Sequence, residues 1–272
     1  MNTGLFAYCL QLADNCLILG QRNSEWTGHG PVLEQDIAIT NISLDLIGQA
    51  RNFYQYAANG FNSMNAASKK ACDKWIPSIW KTYNRELQED DLAFLREERQ
   101  YLNLLITELP KGDWGFSILR QFFFSSYQLL QFQELQKLMD EQLSAIAEKS
   151  LKEIAYHVQW SGEWVIRLGD GTAESKKRIS ESLSTLWPYT GEMFMNSDAE
   201  IGAIKDGFAS DVSKLKDSWL NKVSSVLEEA TLTIPKESWM QKGGKDGVHT
   251  EHLGYLLAEM QYLQRTYPNL TW

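Results

Sequence analysis

Apolar periodicity constrains the fold of this chain more than any other feature. Apolar side chains recur at three- and four-residue spacing over long segments, and only six prolines occur in 272 residues. The first segment carries this spacing at Phe6, Cys9, Leu10, Ala13, Cys16 and Leu17. Such spacing places side chains on one face of an α-helix. Because no segment of useful length alternates at the two-residue period of a strand, the sequence predicts an all-α fold.

Eight helices follow from this periodicity and from the Gly and Pro signals between segments. They are predicted over residues 5–22, 32–58, 90–109, 116–139, 142–168, 174–195 (with a possible kink at Pro188), 212–230 and 250–265. Residues 59–89 predict an irregular insertion, and residues 242–272 a Gly-rich loop and a C-terminal helix. Two pairs of long helices predict one all-α domain over 1–272, most simply a helical bundle with long crossovers and additional C-terminal helices.

The second predicted helix is apolar on most of its sides. Ile39, Ile42 and Leu46 form one stripe, whereas Ile37 and Leu44 lie elsewhere around the helix. A helix with this pattern is normally buried all round. The chain also holds ten Trp, eleven Tyr and eleven Phe residues, and Trp and Tyr concentrate binding energy at interfaces. We therefore expect a partner chain.

Charge and composition exclude several classes of protein. The net charge is -9 and the basic residues are scattered among acids, which argues against a nucleic-acid binder. The chain contains no run of 18 uninterrupted apolar residues, so no membrane span is predicted. The N-terminus has the pattern of a helix and lacks that of a signal peptide. Cys9, Cys16 and Cys72 do not form a disulfide framework. Buried thiols in a cytoplasmic protein are expected.

A helical bundle of this kind suggests a test for a di-iron centre. Such centres take a carboxylate from each of two helices and a Glu-x-x-His pair from each of the other two. Here Asp45 is followed at i+3 by Gly48, and Glu153 is followed at i+3 by Tyr156. No acid occurs between Asp113 and Glu134, so the fourth helix lacks its carboxylate. The sequence therefore predicts no metal bound by this chain.

The remaining acids leave two interpretations open. Asp14 and Asp45 could be solvated helix-face residues or remnants of a polar cluster. Glu153 shares a helix face with His157, Trp160 and Trp164, which predicts burial with polar partners. We expect Glu153 to be a structural residue.

Two C-terminal features compete as sites. His249 and His252 are three residues apart, as metal ligands can be, but Thr250 is also a good N-cap residue, which favours capping and packing. Residues 242–247 contain three glycines with Lys242 and Lys245. This loop could approach an anionic ligand or a partner, although it lacks the P-loop pattern and a plain loop is favoured.

Several strings resemble the C-subunit family of the bacterial ring 1,2-phenylacetyl-CoA epoxidases. They lie at residues 14–22, 25–29, 44–53, 98–103, 243–254 and 258–265. The resemblance covers nearly the whole chain, and residues 62–86 depart from it as a longer excursion.

This resemblance implies a ferritin-like fold without iron, in a complex of the cytoplasmic phenylacetate pathway. The implied partner is an A-type subunit that carries the di-iron centre and epoxidises the ring of phenylacetyl-CoA, with further small and reductase subunits. Gln100 and Asn103 are the implied candidates for contact with the CoA thioester, and Ser125 stands where a helical carboxylate is expected. The alternative is a stand-alone ferritin-like metal-binding protein or oxygenase.

Overall fold

The all-α prediction is confirmed. The computed structural model describes residues 1–236 and 239–270, and over these ranges it contains helices and connecting segments but no strand. The α-helices are α1 Thr3–Ser24, α2 Leu33–Asn62, α3 Ala66–Ala71, α4 Glu89–Phe94, α5 Leu105–Glu108, α6 Trp114–Leu135, α7 Glu141–Gly169, α8 Ala173–Leu186, α9 Asp198–Lys205, α10 Lys216–Glu229, α11 Glu251–Met260 and α12 Tyr262–Thr266. Short 3-10 helices lie at Asp73–Trp75, Ser78–Thr82, Glu98–Gln100, Trp187–Tyr189, Gly191–Phe194, Val212–Leu215 and Gly244–Asp246.

Four long helices form the ferritin-like bundle that positions the site. Helix α1 packs against α2, α6 packs against α7, and α2 contacts α7 across the bundle. Three of the four long helices begin at a side-chain cap, whereas α2 begins after Val32 without one. The side chains of Asn2, Asp113 and Asp140 accept N–H groups at the starts of α1, α6 and α7. These bonds satisfy donors that a helix N-terminus otherwise leaves unpaired.

Helix α1 forms the centre of the core. Every residue from Leu5 to Gly20 is buried. By length and composition α1 could cross a membrane, but 89% of its most apolar window is buried inside the fold. A core helix that contacts neighbours on all sides has the same all-round apolar pattern.

The prediction of one continuous helix over residues 90–109 is wrong. The structure has α4, a 3-10 turn at Glu98–Gln100, extended backbone, and the single turn α5. The backbone N–H groups of Leu102, Leu104 and Leu105 donate to the side chains of Asp14, Asn15 and Glu192, respectively. Those acceptors replace the carbonyl partners that a helix would have supplied.

The helix predicted over residues 174–195 is shorter than expected. Helix α8 ends at Leu186, and Pro188 lies in the following 3-10 turn. Proline lacks the N–H that a helix interior requires. The helix therefore ends before Pro188, where the sequence predicted a possible kink. Helix α9 was not predicted. Within residues 59–89 the structure has the last turn of α2, helix α3, two 3-10 turns and the start of α4.

Candidate functional site

A polar cluster lies at the centre of the bundle, and each of the four long helices contributes one side chain to it. The Gln49 amide nitrogen donates to Glu153 Oε2 at 2.9 Å. The Gln128 amide nitrogen donates to Gln49 Oε1 at 2.9 Å and lies 3.2 Å from Cys16 Sγ. We call these four residues the central cluster. Ferritin-like bundles build their metal sites from side chains on facing helices, and the central cluster likewise takes one side chain from each of the four long helices.

A second polar contact lies beside the central cluster. His157 is fully buried, and its Nε2 lies 3.0 Å from Asp45 Oδ2. The Asp45 side chain is about one-third exposed. Asp45 therefore belongs neither to a solvated face nor to the deep interior, and the carboxylate is within hydrogen-bonding distance of the buried imidazole.

The helical register corrects the motif frame predicted from the sequence. Gly48 and Tyr156 face outward: Gly48 is exposed with open space beyond its Cα, and Tyr156 is 46% exposed. The inward positions are Gln49 and His157, one residue later. A Glu-x-x-His pair facing the centre would need its carboxylate three residues before these. Leu46 and Ile154 occupy those positions, and both are fully buried.

The donor set at the centre does not fit a di-iron group. Cys16, Gln49, Gln128 and Glu153 supply one carboxylate, two neutral amides and a thiol, whereas iron centres of this fold take carboxylates and two imidazoles. Burial raises the pKa of the Cys16 thiol above its usual range, which disfavours the thiolate that binds metal. Over residues 1–236 and 239–270, no three His, Cys, Asp or Glu side chains could share a metal ion.

Two residues predicted to belong to the polar cluster form hydrogen bonds with other groups. The Ser125 hydroxyl donates to the Gln121 carbonyl of its own helix at 2.7 Å. Asp14 is fully buried, so the solvated alternative is wrong for it, and it bonds to Arg96 and Tyr54. Cys16, Gln49 and Gln128 were not predicted from the sequence as members of the cluster. Gln49 could have been found from the sequence, because it follows the apolar residue Leu46 by three positions and therefore lies on the same face of the helix.

Asp14 is the centre of a buried ion pair with Arg96. Both side chains are fully buried, and the Arg96 guanidinium donates to both oxygens of the carboxylate. The Asp14 carboxylate also accepts hydrogen bonds from the Tyr54 hydroxyl and from the Leu102 N–H. Burial is the largest single influence and would lower the pKa of Arg96, but the charge and hydrogen bond of Asp14, together with the nearby Tyr54 and Tyr101, raise the pKa overall. The pair fastens the extended segment after α4 to α1.

Glu108 organises a second buried network near the C-terminal helices. One Glu108 oxygen accepts from Asn103 and lies 2.8 Å from His249 Nδ1. The other accepts the Thr250 N–H at 2.6 Å. His249 Nε2 lies 2.9 Å from the Tyr101 carbonyl, so both imidazole nitrogens have partners within the chain. Helix α11 begins after Thr250 as predicted, but the Thr250 hydroxyl makes no capping hydrogen bond. The backbone N–H of Thr250 donates to Glu108.

The His249–Glu108 pair predicts a pH dependence of stability. Burial by itself would lower the pKa of His249, but the hydrogen bond to Glu108 and its charge raise it above the ordinary value of 6.5. Because the pKa of His249 is higher in the folded than in the unfolded state, protonated His249 stabilises the fold. This stabilisation is fully present below about pH 6.5 and is lost as the pH rises through the folded-state pKa. We expect His249→Gln to lower the free energy of unfolding by about 1–3 kcal/mol at pH 6 and by less at pH 9.

Urea denaturation at both pH values measures this difference. His252→Gln is the matched control because its ring is half-buried and makes none of the hydrogen bonds described for His249. A His249→Gln loss that is equal at both pH values would show that the imidazole is not charged in the folded protein.

The substrate-side candidates lie around the loop at residues 242–247. Gln100 Nε2 donates to the carbonyls of Lys74 and Ile76, and Asn103 is fully buried within the Glu108 network. Lys245 is buried and ion-paired with Glu200 at 2.9 Å. Lys242 is exposed. A direct contact of these four residues with substrate stays a prediction.

The loop glycines have a packing role. A Cβ at Gly244 would lie 2.2 Å from the Asn103 carbonyl oxygen, and one at Gly247 would lie 2.5 Å from that of Arg99. Gly247 also has a φ of 74°, a conformation that favours glycine. Close approach to the extended segment therefore accounts for both residues without a ligand.

Glu153 is half-buried, so the predicted burial is only partly correct. Its one described hydrogen bond is from Gln49. We expect Glu153→Ala to lower the free energy of unfolding by about 1 kcal/mol, since it leaves the buried Gln49 amide without an acceptor. Glu153→Gln retains an acceptor oxygen and should fall close to the unchanged protein. Equal losses for both variants in thermal or urea denaturation would contradict this role.

The three cysteines are buried and free, as the sequence predicted. Most aromatic residues also lie inside. Among the tryptophans that the structure describes, Trp239 alone is exposed, at 80%. Phe123, Trp187, Phe194 and Trp219 pack together with ring centroids 5.3–6.0 Å apart. The aromatic content thus fills the core more than it marks an interface.

Comparison with known proteins decides the family. The family model described as "Phenylacetic acid catabolic protein" matches residues 1–272. This chain belongs to the phenylacetic acid catabolic protein family. A relative in Escherichia coli (strain K12), the C subunit of 1,2-phenylacetyl-CoA epoxidase, is 42% identical over 268 residues, which cover 98% of this chain and 99% of the relative. The resemblance predicted from the sequence strings is confirmed.

Membership of the phenylacetic acid catabolic protein family agrees with the all-α, ferritin-like architecture. The match runs along the whole chain, including the extended segment held by Asp14 and the loop packed against it. The relative is one subunit of an epoxidase, so its activity is the activity of a complex.

Proposed function

We propose that this chain is the non-catalytic structural and substrate-positioning subunit of a multicomponent di-iron monooxygenase that epoxidises the aromatic ring of phenylacetyl-CoA. The central cluster carries the proposal, because its donor set does not fit a di-iron group although the surrounding bundle has the fold that holds one. The similarity to the C subunit of an epoxidase supplies the reaction.

The partners follow from the same proposal. A di-iron A-type subunit carries the oxygen chemistry, further small and reductase subunits complete the complex, and the CoA thioester is shared with the partner. The complex works in the cytoplasm as part of phenylacetate catabolism. No contact with nucleic acid or a membrane is part of the proposal.

A surface cavity supports the positioning role. It has a volume of about 500 Å³ and is lined by Lys74, Arg99 and Lys245 together with Asp198 and Asp246. Lys245 is ion-paired with Glu200, so we propose that the other two basic groups of the lining, Lys74 and Arg99, bind a phosphate of the CoA moiety. The substrate-side candidate Gln100 fixes the chain beside Lys74 by donating to its carbonyl.

The experiment is iron analysis of this chain alone and of its complex with the A-type subunit. After anaerobic iron loading and desalting, we expect well under one iron per chain from this subunit alone. The co-purified complex should hold its iron in proportion to the A-type chain. Two tightly held irons in this chain, with a di-iron Mössbauer signature, would instead favour a stand-alone metal-binding protein or oxygenase.

A further inference from the structure

Apolar side chains reach the surface of this chain in two different settings. On α2 the burial predicted for every side is wrong, because Leu33, Ile37 and Leu44 are 72%, 51% and 62% exposed on an open helix face. Where the 3-10 turns after α8 meet α10, by contrast, apolar side chains line a cavity of about 480 Å³. Cavities that bind small molecules measure about 300–1,000 Å³, and an apolar cavity of about 150 Å³ is enough to hold benzene. This second setting therefore has the dimensions of a ligand site.

The walls of the cavity are rich in aromatic rings. Trp187 and Phe194 come from the two 3-10 turns after α8, and Trp219 comes from α10. The ring centroid of Trp219 lies 6.0 Å from that of Trp187 and 5.3 Å from that of Phe194. The Trp219 indole N–H donates to the Phe123 carbonyl at 3.0 Å, which fixes this ring before any ligand binds. Fixed aromatic walls favour an aromatic ligand, because ring pairs gain free energy beyond that of their buried area.

One face of α10 runs along the cavity. Trp219, Leu220 and Ser224 follow Lys216 by three, four and eight residues, which keeps these lining residues on one side of the helix. Lys216 is the first residue of α10 and is exposed, so its ammonium group lies at the rim. Within the part of the chain that the structure describes, Lys216 forms no ion pair or hydrogen bond. A free cation at the rim of an apolar cavity favours a ligand that carries a carboxylate at one end.

The segment between α10 and α11 closes another side of the cavity. Ile234 and Met240 line this side, and the Gln241 N–H donates to the Pro188 carbonyl at 2.8 Å. A Cβ built at Gly191 would lie 2.7 Å from Met240 Cγ, so glycine allows the methionine to pack directly on the turn. The unbranched side chain of methionine fits irregular apolar shapes. This side of the cavity can therefore adjust to the ring of a ligand.

We propose that this cavity binds a monocyclic aromatic carboxylate. The ring of the ligand packs between Trp187, Phe194 and Trp219 on one side and Met240 on the other, and its carboxylate pairs with the Lys216 ammonium group. The site goes beyond the proposed function. Its test uses this chain alone, so a failure here would leave the iron and turnover tests unaffected.

A titration with phenylacetate, followed by ligand-observed NMR and by tryptophan fluorescence, tests binding. We expect one saturable site per chain with a Kd of about 1 mM or tighter, which is the affinity that a ligand of this size commonly reaches. Phenylacetamide lacks the negative charge and should bind about 2- to 5-fold more weakly, as expected for loss of a solvent-exposed ion pair. Cyclohexylacetate keeps the charge but lacks the aromatic face, and it should also bind at least about 2-fold more weakly.

Variants of α10 test the location of the site. Ser224→Phe places a ring inside the cavity, so it should abolish binding while keeping or raising the melting temperature, as cavity-filling changes commonly do. Ser225→Phe is the matched control, because Ser225 is the next residue of the same helix and is exposed outside the cavity lining. Lys216→Gln should weaken binding of phenylacetate about 2- to 5-fold and leave that of phenylacetamide unchanged. Lys222→Gln, at an exposed lysine elsewhere on α10, should change neither.

Three results would each overturn the proposal. The first is the absence of saturable phenylacetate binding at roughly tenfold the expected Kd. The second is binding that survives Ser224→Phe or is lost equally in Ser225→Phe. The third is equal affinity for phenylacetate, phenylacetamide and cyclohexylacetate, which would show that neither the aromatic walls nor the Lys216 cation recognises the ligand.

Discussion

Replacement of Arg96 by methionine is expected to lower the free energy of unfolding by about 3–5 kcal/mol. The variant leaves the Asp14 carboxylate fully buried without its counter-charge, and breaking one side of a buried ion pair costs this much. It also removes donors to the Leu92 and Gln100 carbonyls, which Arg96 Nε and Nη1 contact at 2.6 and 2.7 Å. Urea denaturation at neutral pH measures the loss.

Two further variants separate charge from packing. Asp14→Leu combined with Arg96→Met removes both charges, and we expect the combined loss to be smaller than the sum of the single losses. Arg178→Met removes an exposed cation paired with Glu174 and should leave stability unchanged within error. Strict additivity of the Asp14 and Arg96 losses would contradict a coupled buried pair.

The Asp14–Arg96 pair also explains the limit of prediction from this sequence. The long helices α1, α2, α6 and α7 were predicted within a few residues, because each buries a continuous apolar face and begins at a recognisable signal. Leu92, Leu95, Leu102 and Ile106 have the same periodicity, yet they are not one helix. The backbone of this segment bonds to Asp14, Asn15 and Glu192, which lie far away in sequence, and periodicity carries no trace of them.

The central cluster was predicted in part for a similar reason. Of the central cluster the sequence singled out Glu153 alone, and it also singled out His157 and Asp45, which form the contact beside the cluster, because titratable residues at helical spacing are conspicuous. The frame was off by one residue, since the inward face of a helix is set by its neighbours, and this places Gln49 and His157 inside while Gly48 and Tyr156 face out. Neutral amides such as Gln49 and Gln128 resemble surface residues until packing shows them buried.

The largest functional effect is expected in the turnover of phenylacetyl-CoA. The proposal gives this chain no oxygen chemistry of its own, because its central cluster cannot supply the ligands of a di-iron group. It makes the chain necessary for the A-type subunit, whose fold and substrate access it supports. We therefore expect no epoxidation from this chain alone, background turnover from the A-type subunit alone, and full turnover only when the two are combined with the reductase.

The most direct test is an oxygenase assay that follows loss of phenylacetyl-CoA with reductase and oxygen present. The A-type subunit is held constant while this chain is titrated. The proposed function predicts turnover that rises from background with added chain and saturates at a fixed ratio of the two subunits. Full activity of the A-type subunit without this chain, or activity of this chain by itself, would contradict it.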